Sequence, residues 1–216
     1  MQLTRRRIIA LAIELIEADG VEAISMQRLA TKLGCGMISL YNYVPTKSAL
    51  LDGVADQVMS AIEMTPLPQA GWAERLKAQA MAFRKVARTH PRCAMIAMSR
   101  RPASASMVRQ AETALATLRE AGFEGQEAVR IVRAFLAYIM GSLIREVGIA
   151  PGLADDEDVA GARPWLRAAE FPNLARLTAE LQAHDPEADF GFGLELLVHA
   201  VAVRARHGQQ ILCTQP

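Results

Sequence analysis

The stretch from Ala30 to Leu51, ATKLGCGMISLYNYVPTKSALL, limits the fold more sharply than any other part of the chain. It sets Gly34-Cys35-Gly36 inside an amphipathic run, restarts at Met37, stops at Pro45 and restarts after Thr46. Glycine enters the left-handed backbone region at little steric cost, so a helix capped by Ser25 and carrying Leu29, Ala30 and Leu33 ends at Gly34. A second short helix then spans Met37 to Tyr43, and Pro45 ends it. A helix-turn-helix unit needs a small residue where its helices touch, a turn residue tolerant of positive φ, and apolar residues seating the second helix. Ala30, Gly34 and Leu40 meet those needs in order, with Leu29 and Leu33 on the buried side of the first helix.

Helical signals also flank this unit. Thr4 caps a first helix over residues 4–19, with Ile8, Leu11, Ala12, Leu15 and Ile16 at helical spacing and Gly20 as its stop. Thr46 caps a fourth, with Ala49, Leu50, Val54, Val58 and Ile62 on one stripe, running to the break at Pro66-Leu67-Pro68. Further patterns cover Trp72 to Thr89, Cys93 to Ser99, Ser104 to Ala121, Gly125 to Val147, Pro172 to His184 and Glu187 to His207. The segment GIAPGLADDEDVAGARP between the Gly125–Val147 and Pro172–His184 patterns reads as a loop, its acidic run at Asp155–Asp158 a solvated linker without the ligand pattern of a calcium loop. A hydrophobic fraction of 51% with 5% aromatics suits packing by Leu, Ala, Ile and Met, so the expected class is all-α.

Several chemistries are disfavoured. Cys35, Cys93 and Cys213 are odd in number and far apart, which fits a cytoplasmic protein without a disulfide framework or zinc spacing. His90, His184, His199 and His207 are scattered, with His199 expected in a core or interface, and no metal or other cofactor is expected. GxSxG, Walker A, GxGxxG and HExxH patterns are absent, so catalysis has little support. Glu14, Glu17 and Asp19 interrupt the apolar run after the basic start, which argues against an export signal or membrane span.

Net charge is only +1, but residues 1–50 hold six basic side chains against four acidic, a local +2 that mildly favours an anionic partner. The second helix of a helix-turn-helix unit lies in the DNA major groove. Met37, Ser39, Asn42 and Tyr43 suit that position: methionine can touch a thymine methyl, asparagine can pair with adenine, and hydroxyls reach base or phosphate. Lys47, in the first turn after Thr46, adds an ammonium to free helix N–H groups and suits a phosphate. The plain alternative is an αα-corner within an ordinary helical core.

From Leu3 to Val54 the chain resembles the DNA-binding domain of the TetR family of transcriptional repressors. The likeness rests on the A-x-x-L-G turn, LYNYVPTKSALL and the Asp19-Gly20-Val21-Glu22 link. It implies that Gln27, Arg28, Met37, Ile38, Ser39, Tyr41, Asn42, Tyr43 and Lys47 face a double-stranded DNA operator, Tyr41 at a phosphate. A looser likeness to the tetracycline-repressor subgroup follows in Trp72 with Phe83, Arg100–Pro102, Glu120–Phe123 and Phe190–Val201. It implies a homodimer paired through the helices near 126–147 and 187–207, the second of which is apolar on more faces than one monomer needs.

The subgroup's drug- and magnesium-binding histidines would fall at Glu63 and Ala97, its metal-shell glutamate at Arg145 and its switch threonine at Arg100, which argues against tetracycline as effector. Gln79 and Phe83 keep the subgroup's polar-then-aromatic pair. Gln79, Phe83, Met98, Thr113 and Arg145 are the candidates to line a pocket for a small, largely apolar effector. Met81, Met95, Met98, Met107 and Met140 could line such a pocket, yet methionines at helical spacing more often fill core gaps, and core is the favoured reading; Arg145-Glu146 could be a surface pair. Residues 1–48 are assigned to DNA reading and 49–216 to effector binding and dimerisation, although Pro66–Pro68 is the clearer compositional break. A helical ligand-binding or scaffolding dimer without operator binding is the competing reading.

Overall fold

Local capping chemistry starts three of the first four helices. The computed structural model describes residues 3–63, 67, 69–100, 105–147, 171–177, 179–180, 183 and 185–212, and among these the regular structure is entirely helical. Helix α1 runs Arg5–Asp19, α2 Met26–Leu33, α3 Met37–Tyr43 and α4 Lys47–Ser60. Thr4, Ser25 and Thr46 each accept a hydrogen bond from the backbone N–H three residues on, at 3.3, 3.1 and 3.0 Å. Each thereby satisfies one of the donors that a helix start leaves without a partner.

Gly34 closes α2 at φ 64°, ψ 35°. Its own N–H reaches Thr31 O at 3.2 Å and the Cys35 N–H reaches Ala30 O at 3.0 Å, a Schellman end. Nothing would obstruct a Cβ at position 34, so backbone conformation alone demands glycine. Gly34→Ala is therefore expected to destabilise by about 1–2 kcal/mol, roughly 2–8 °C of melting temperature, and Gly34→Asn by less. Thermal denaturation checks the order; an alanine variant as stable as the parent would refute the conformational argument.

Helices α5 (Trp72–Thr89), α6 (Pro91–Ser99), α7 (Ala105–Glu120) and α8 (Gly125–Val147) follow. Then come a short α9, Pro172–Arg176, and a long α10, Pro186–Leu212. Pro91 and Pro186 occupy first-turn positions, where the missing N–H has no helical partner to lose. Both helices thus begin ahead of the expected Cys93 and Glu187. Asp185 accepts from the Glu187 and Ala188 N–H groups, both at 3.1 Å, and sets the start of α10. The helix expected over Pro172–His184 is continuous only to Arg176 among the described residues, and the loop expected over residues 148–164 lies outside them.

The apolar core falls into two main clusters and a small third. The first joins Ile8, Ile16, Leu29, Leu40, Leu50 and Val54 of the N-terminal helices to Cys93, Ile96 and Ala97 of α6. The second joins α5, α7, α8 and α10 through Leu76, Leu118, Phe135, Ile139, Phe190 and Leu194. Phe83 packs against all three clusters. Because α4 and α6 share the first cluster, apolar packing continues across both position 48 and the Pro66–Pro68 break.

Helix α6 is fastened to the N-terminal helices at both ends. The Glu17 carboxylate accepts from the Arg92 and Cys93 backbone N–H groups at 3.2 and 2.9 Å, while the Arg92 guanidinium donates to Glu17 O and Ala18 O at 2.7 and 2.8 Å. An anion thus sits at the start of α6 and a cation at the end of α1, each on the favourable pole of a helix dipole. Burial, with Glu17 alongside, pushes the Cys93 thiol well above the ordinary cysteine range and keeps it protonated. At the other end, Arg100 donates from Nε to Asp52 Oδ1 at 2.7 Å and from a terminal nitrogen to Ser48 Oγ at 2.7 Å.

Candidate nucleic-acid interface and apolar cavity

One buried residue orients the short helix α3. Leu40 is fully enclosed, and Val44 just beyond the helix is buried too. With those anchored, the opposite flank must face outward: Ile38 is 81% exposed, and Ser39, Tyr41, Asn42 and Tyr43 are all exposed. Lys47 stands exposed in the first turn of α4, beside the Thr46 cap. Gln27 is exposed on α2. These side chains from three helices can meet base edges and phosphates together.

Arg28 and Met37 are placed differently. The Arg28 guanidinium forms an ion pair with Asp19 and donates to Ala23 O at 3.1 Å, bracing the α1–α2 link. Met37 is half-buried against the first core cluster. The last turn of α2 presents Thr31 and Lys32, which with Ser25, Gln27 and Arg28 of its start line a shallow groove along the helix. Lys32 was not among the expected DNA-facing residues; its position four residues after Arg28, on the same helical side, was the available signal.

A cavity of 170 Å³ lies where α4, α5, α6, α7 and α8 converge. Its wall includes Met59, Phe83, Met98, Met107 and Phe135, with Gln79 and Gln110 as the polar side chains. No charged side chain lines it among the described residues. Three of the five expected pocket residues, Gln79, Phe83 and Met98, are therefore together on this wall. Gln79 Nε2 donates to Thr117 Oγ1 at 2.9 Å and points at Thr113 O at 3.5 Å, while its Oε1 is buried without a hydrogen-bond partner. An unsatisfied buried carbonyl costs on the order of 1–3 kcal/mol.

Thr113 and Arg145 do not join that wall. Thr113 has an exposed side chain and contributes only its backbone carbonyl to Gln79, because the turn of α7 carries residue 113 past the cavity-facing positions Gln110 and Ala114. Arg145 is exposed and borders a separate 450 Å³ cleft between α8 and α10, with Tyr138, Ser142 and Asp189. Its neighbour Glu146 points inward instead: only 9% exposed, it pairs with Arg84 at 2.8 Å and Arg88 at 2.7 Å. Among the methionines, Met59, Met98 and Met107 border the cavity, whereas Met81 and Met140 pack against core clusters.

Arg84 carries no sequence signal and yet is the most enclosed charge described, 2% exposed. Besides Glu146 it approaches Glu187 at 3.4 Å, donates to Ser142 Oγ at 3.3 Å and Pro186 O at 3.0 Å, and lies 4.1 Å above the Phe190 ring. It ties α5 to α8 and α10. Tyr138 stacks on Phe190 at 5.2 Å and donates its hydroxyl to Phe190 O at 2.8 Å; burial raises the pKa of that hydroxyl. His199, expected in a core or interface, is exposed in the single chain. Among the described residues no His, Cys, Asp and Glu side chains cluster as a metal site would need, and no helix is long and apolar enough to cross a membrane.

A short helix that turns Ile38 to Tyr43 outward, joined through α4 and α6 to an uncharged cavity, defines a helix-turn-helix unit set on a helical body. Similarity to known proteins specifies it further. The profile of the tetracyclin repressor-like C-terminal domain matches residues 65–204. The chain is 31% identical to the HTH-type transcriptional repressor DrrR1 of Streptomyces coeruleorubidus, over 96% of this chain and 81% of that protein. It is 28% identical to the class D tetracycline repressor protein of Escherichia coli, over 94% and 91%. The crystal structure of the Streptomyces coelicolor TetR family protein ActR in complex with actinorhodin superposes with a TM-score of 0.79, at 28% identity over 95% of this chain and 99% of that one. The chain belongs to the TetR family of transcriptional regulators.

Proposed function

We propose that this protein is a ligand-responsive repressor that binds a pseudo-palindromic operator as a cytoplasmic homodimer and leaves it when a small, largely apolar molecule fills the cavity. The observation that carries the reading is the outward flank of α3, Ile38 to Tyr43, held by a buried Leu40 on the same frame as the cavity. Residues 1–48 do the reading. Tyr41 and Lys47 hold phosphates, Gln27 flanks the groove, and Ile38, Ser39, Asn42 and Tyr43 meet the major groove, while Arg28 and Met37 brace the unit from behind.

Dimerisation is supported by α10. Its inward residues Phe190 and Leu194 are buried in the single chain, yet Phe192 and Leu196 are 67% and 56% exposed. Leaving two large apolar side chains in water one turn apart on a helix is costly, and a two-fold partner helix would cover them. Two recognition helices would then enter successive major grooves about 34–36 Å apart.

Ligand response is supported by two shared helices. Helix α4 starts at Lys47 and places Met59 on the cavity wall; α6 places Met98 there and is followed by Arg100, bound to Asp52 and Ser48 of α4. A ligand that fits one arrangement of these helices better than another shifts the spacing of the reading heads by differential affinity. The ligand complex of ActR accords with this. Gln79, Phe83 and Met98 are the proposed contacts.

Mobility shift with DNA from the chain's own upstream region tests the core of the proposal. Lys47→Ala should weaken binding to every bound sequence and reduce the slope of log affinity against log salt by about 2 per dimer, one phosphate per protomer. Asn42→Ala should instead relax base preference at one position per half-site by about 1–3 kcal/mol. Unchanged salt dependence in Lys47→Ala would remove the phosphate role. No shifted complex with any tested operator would leave a ligand-binding dimer without DNA function.

A further inference from the structure

We infer that the base pairs met by α3 in each operator half-site are A·T pairs, and that Ile38 identifies one thymine by its C5-methyl group. The inference rests on the operator binding proposed above and names what that surface selects. Ile38 is the second residue of α3 and, at 81%, the most exposed large apolar side chain among the described residues. Leu40 and Val44 hold the opposite side of the helix in the core, so Ile38 cannot turn inward to escape water. The early residues of a recognition helix are the ones that reach base edges. There the apolar feature of the major groove is the thymine methyl, and an isoleucine laid on it leaves water together with it.

What α3 lacks narrows the choice further. Guanine offers O6 and N7, both acceptors, and is read by arginine or lysine; cytosine offers an N4 donor and is read by aspartate or glutamate. The sequence of α3, MISLYNY, contains none of these four residue types. Its outward groups are the isoleucine, the hydroxyls of Ser39, Tyr41 and Tyr43, which suit base or phosphate alike, and the Asn42 amide. An amide matches the N6 donor and N7 acceptor of adenine. Ile38 and Asn42 stand one helical turn apart on the same side of α3, so a methyl reader and an adenine reader follow the groove together.

The cations of α2 and α4 are directed elsewhere. The Arg28 guanidinium is taken up by Asp19 and by Ala23 O at 3.1 Å. Lys32 lies on α2, the helix that crosses the phosphate backbone, and Lys47 lies on α4, beyond α3 altogether. Gln27, exposed on α2, is again an amide.

Selection from duplex DNA with a random core of about three helical turns, using the full chain at physiological salt, tests the inference. The enriched half-site should carry A·T pairs wherever selection with Ile38→Ala or Asn42→Ala relaxes the preference. Deoxyuridine, which pairs as thymidine does but lacks the methyl, is then placed symmetrically at each thymine of the enriched site in turn. At one of them it should weaken binding by the parent about fourfold per half-site and about fifteenfold per dimer, the size expected for one buried methyl in each. Ile38→Ala should bind the two duplexes within about twofold of each other.

G·C pairs at the relaxed positions, or a parent protein indifferent to deoxyuridine at every thymine, would overturn the inference and leave operator binding intact. A·T tracts enriched for groove shape alone would give that second result, because deoxyuridine removes only the methyl. Discrimination that survives in Ile38→Ala would overturn the assignment to Ile38. The parent comparison needs no variant, so it decides even should the variants not fold. A library from which no sequence is enriched would remove operator binding itself, and this inference with it.

Discussion

Arg84→Met is expected to lower the melting temperature by roughly 6–12 °C. Removing one partner of a buried ion pair costs about 3–5 kcal/mol, because the remaining charge is left in a poorly solvated place. Glu146, which Arg84 meets at 2.8 Å, would be that charge. The lower end of the range applies because Arg88 keeps Glu146 at 2.7 Å, and because Glu187, the second carboxylate, is well exposed. About 3 kcal/mol corresponds to the stated shift in a chain of this size. The double variant Arg84→Met, Glu146→Leu should recover most of the loss, since replacing a buried pair by apolar groups of similar volume is often neutral. Calorimetric unfolding of the parent, the two single variants and the double variant checks both statements. A single variant as stable as the parent would show that α5, α8 and α10 are held by apolar packing alone.

Arg100→Ala is expected to have the reverse profile, with little effect on stability and a large one on communication. Its ion pair with Asp52 is partly exposed, and such pairs contribute about 0–1 kcal/mol. What it does hold is position. The Arg100 guanidinium reaches Asp52 Oδ1 and Ser48 Oγ, both at 2.7 Å, in the first two turns of α4 and next to Lys47. Helix α6, which brings Met98 to the cavity, is thereby tied to the end of α4 that carries the proposed phosphate-binding lysine.

Allosteric coupling in proteins amounts to about 1–3 kcal/mol, a 5–150-fold change in affinity, and it is reciprocal. The ligand affinity of the free protein should therefore exceed that of the operator-bound protein by such a factor. In Arg100→Ala the ratio should fall by about tenfold, with the melting temperature within about 3 °C of the parent. Asp52→Asn should act in the same direction. Titration of a ligand that calorimetry identifies against free and operator-bound protein gives the ratio. A variant with an undiminished ratio would show that α6 and α4 communicate through apolar contacts such as Ile96 and Val58 instead.

The parts legible in the sequence were those whose causes lie within a few residues. Thr4, Ser25 and Thr46 cap from three residues away, and Gly34 reports a backbone angle that belongs to its own position. The same local logic placed Leu40 inward and Asn42 outward on a helix of seven residues. Gln79 and Phe83 share a wall as the family resemblance implied, and Met98 joins them there. Thr113 and Arg145 lie off that wall for a shared reason: a polar side chain on a long helix gives no sign of which neighbour it will meet.

By itself, then, the amino-acid order determined the helix starts, the tight turn at Gly34, the inner stripe of each N-terminal helix and the all-α class. Each of these follows from steric limits and hydrogen bonds that close within one or two helical turns. Tertiary structure alone decided that Arg84 is buried over Phe190, that Glu17 and Arg92 cross-cap α1 and α6, that Arg100 reaches Asp52, and that Gln79 is left with an unpaired oxygen. Those partners lie tens of residues or more apart, with no periodicity linking them. Whether a charge is buried, or a cavity stays open, depends on which helices meet and how closely, and that is set by the packing of the whole chain.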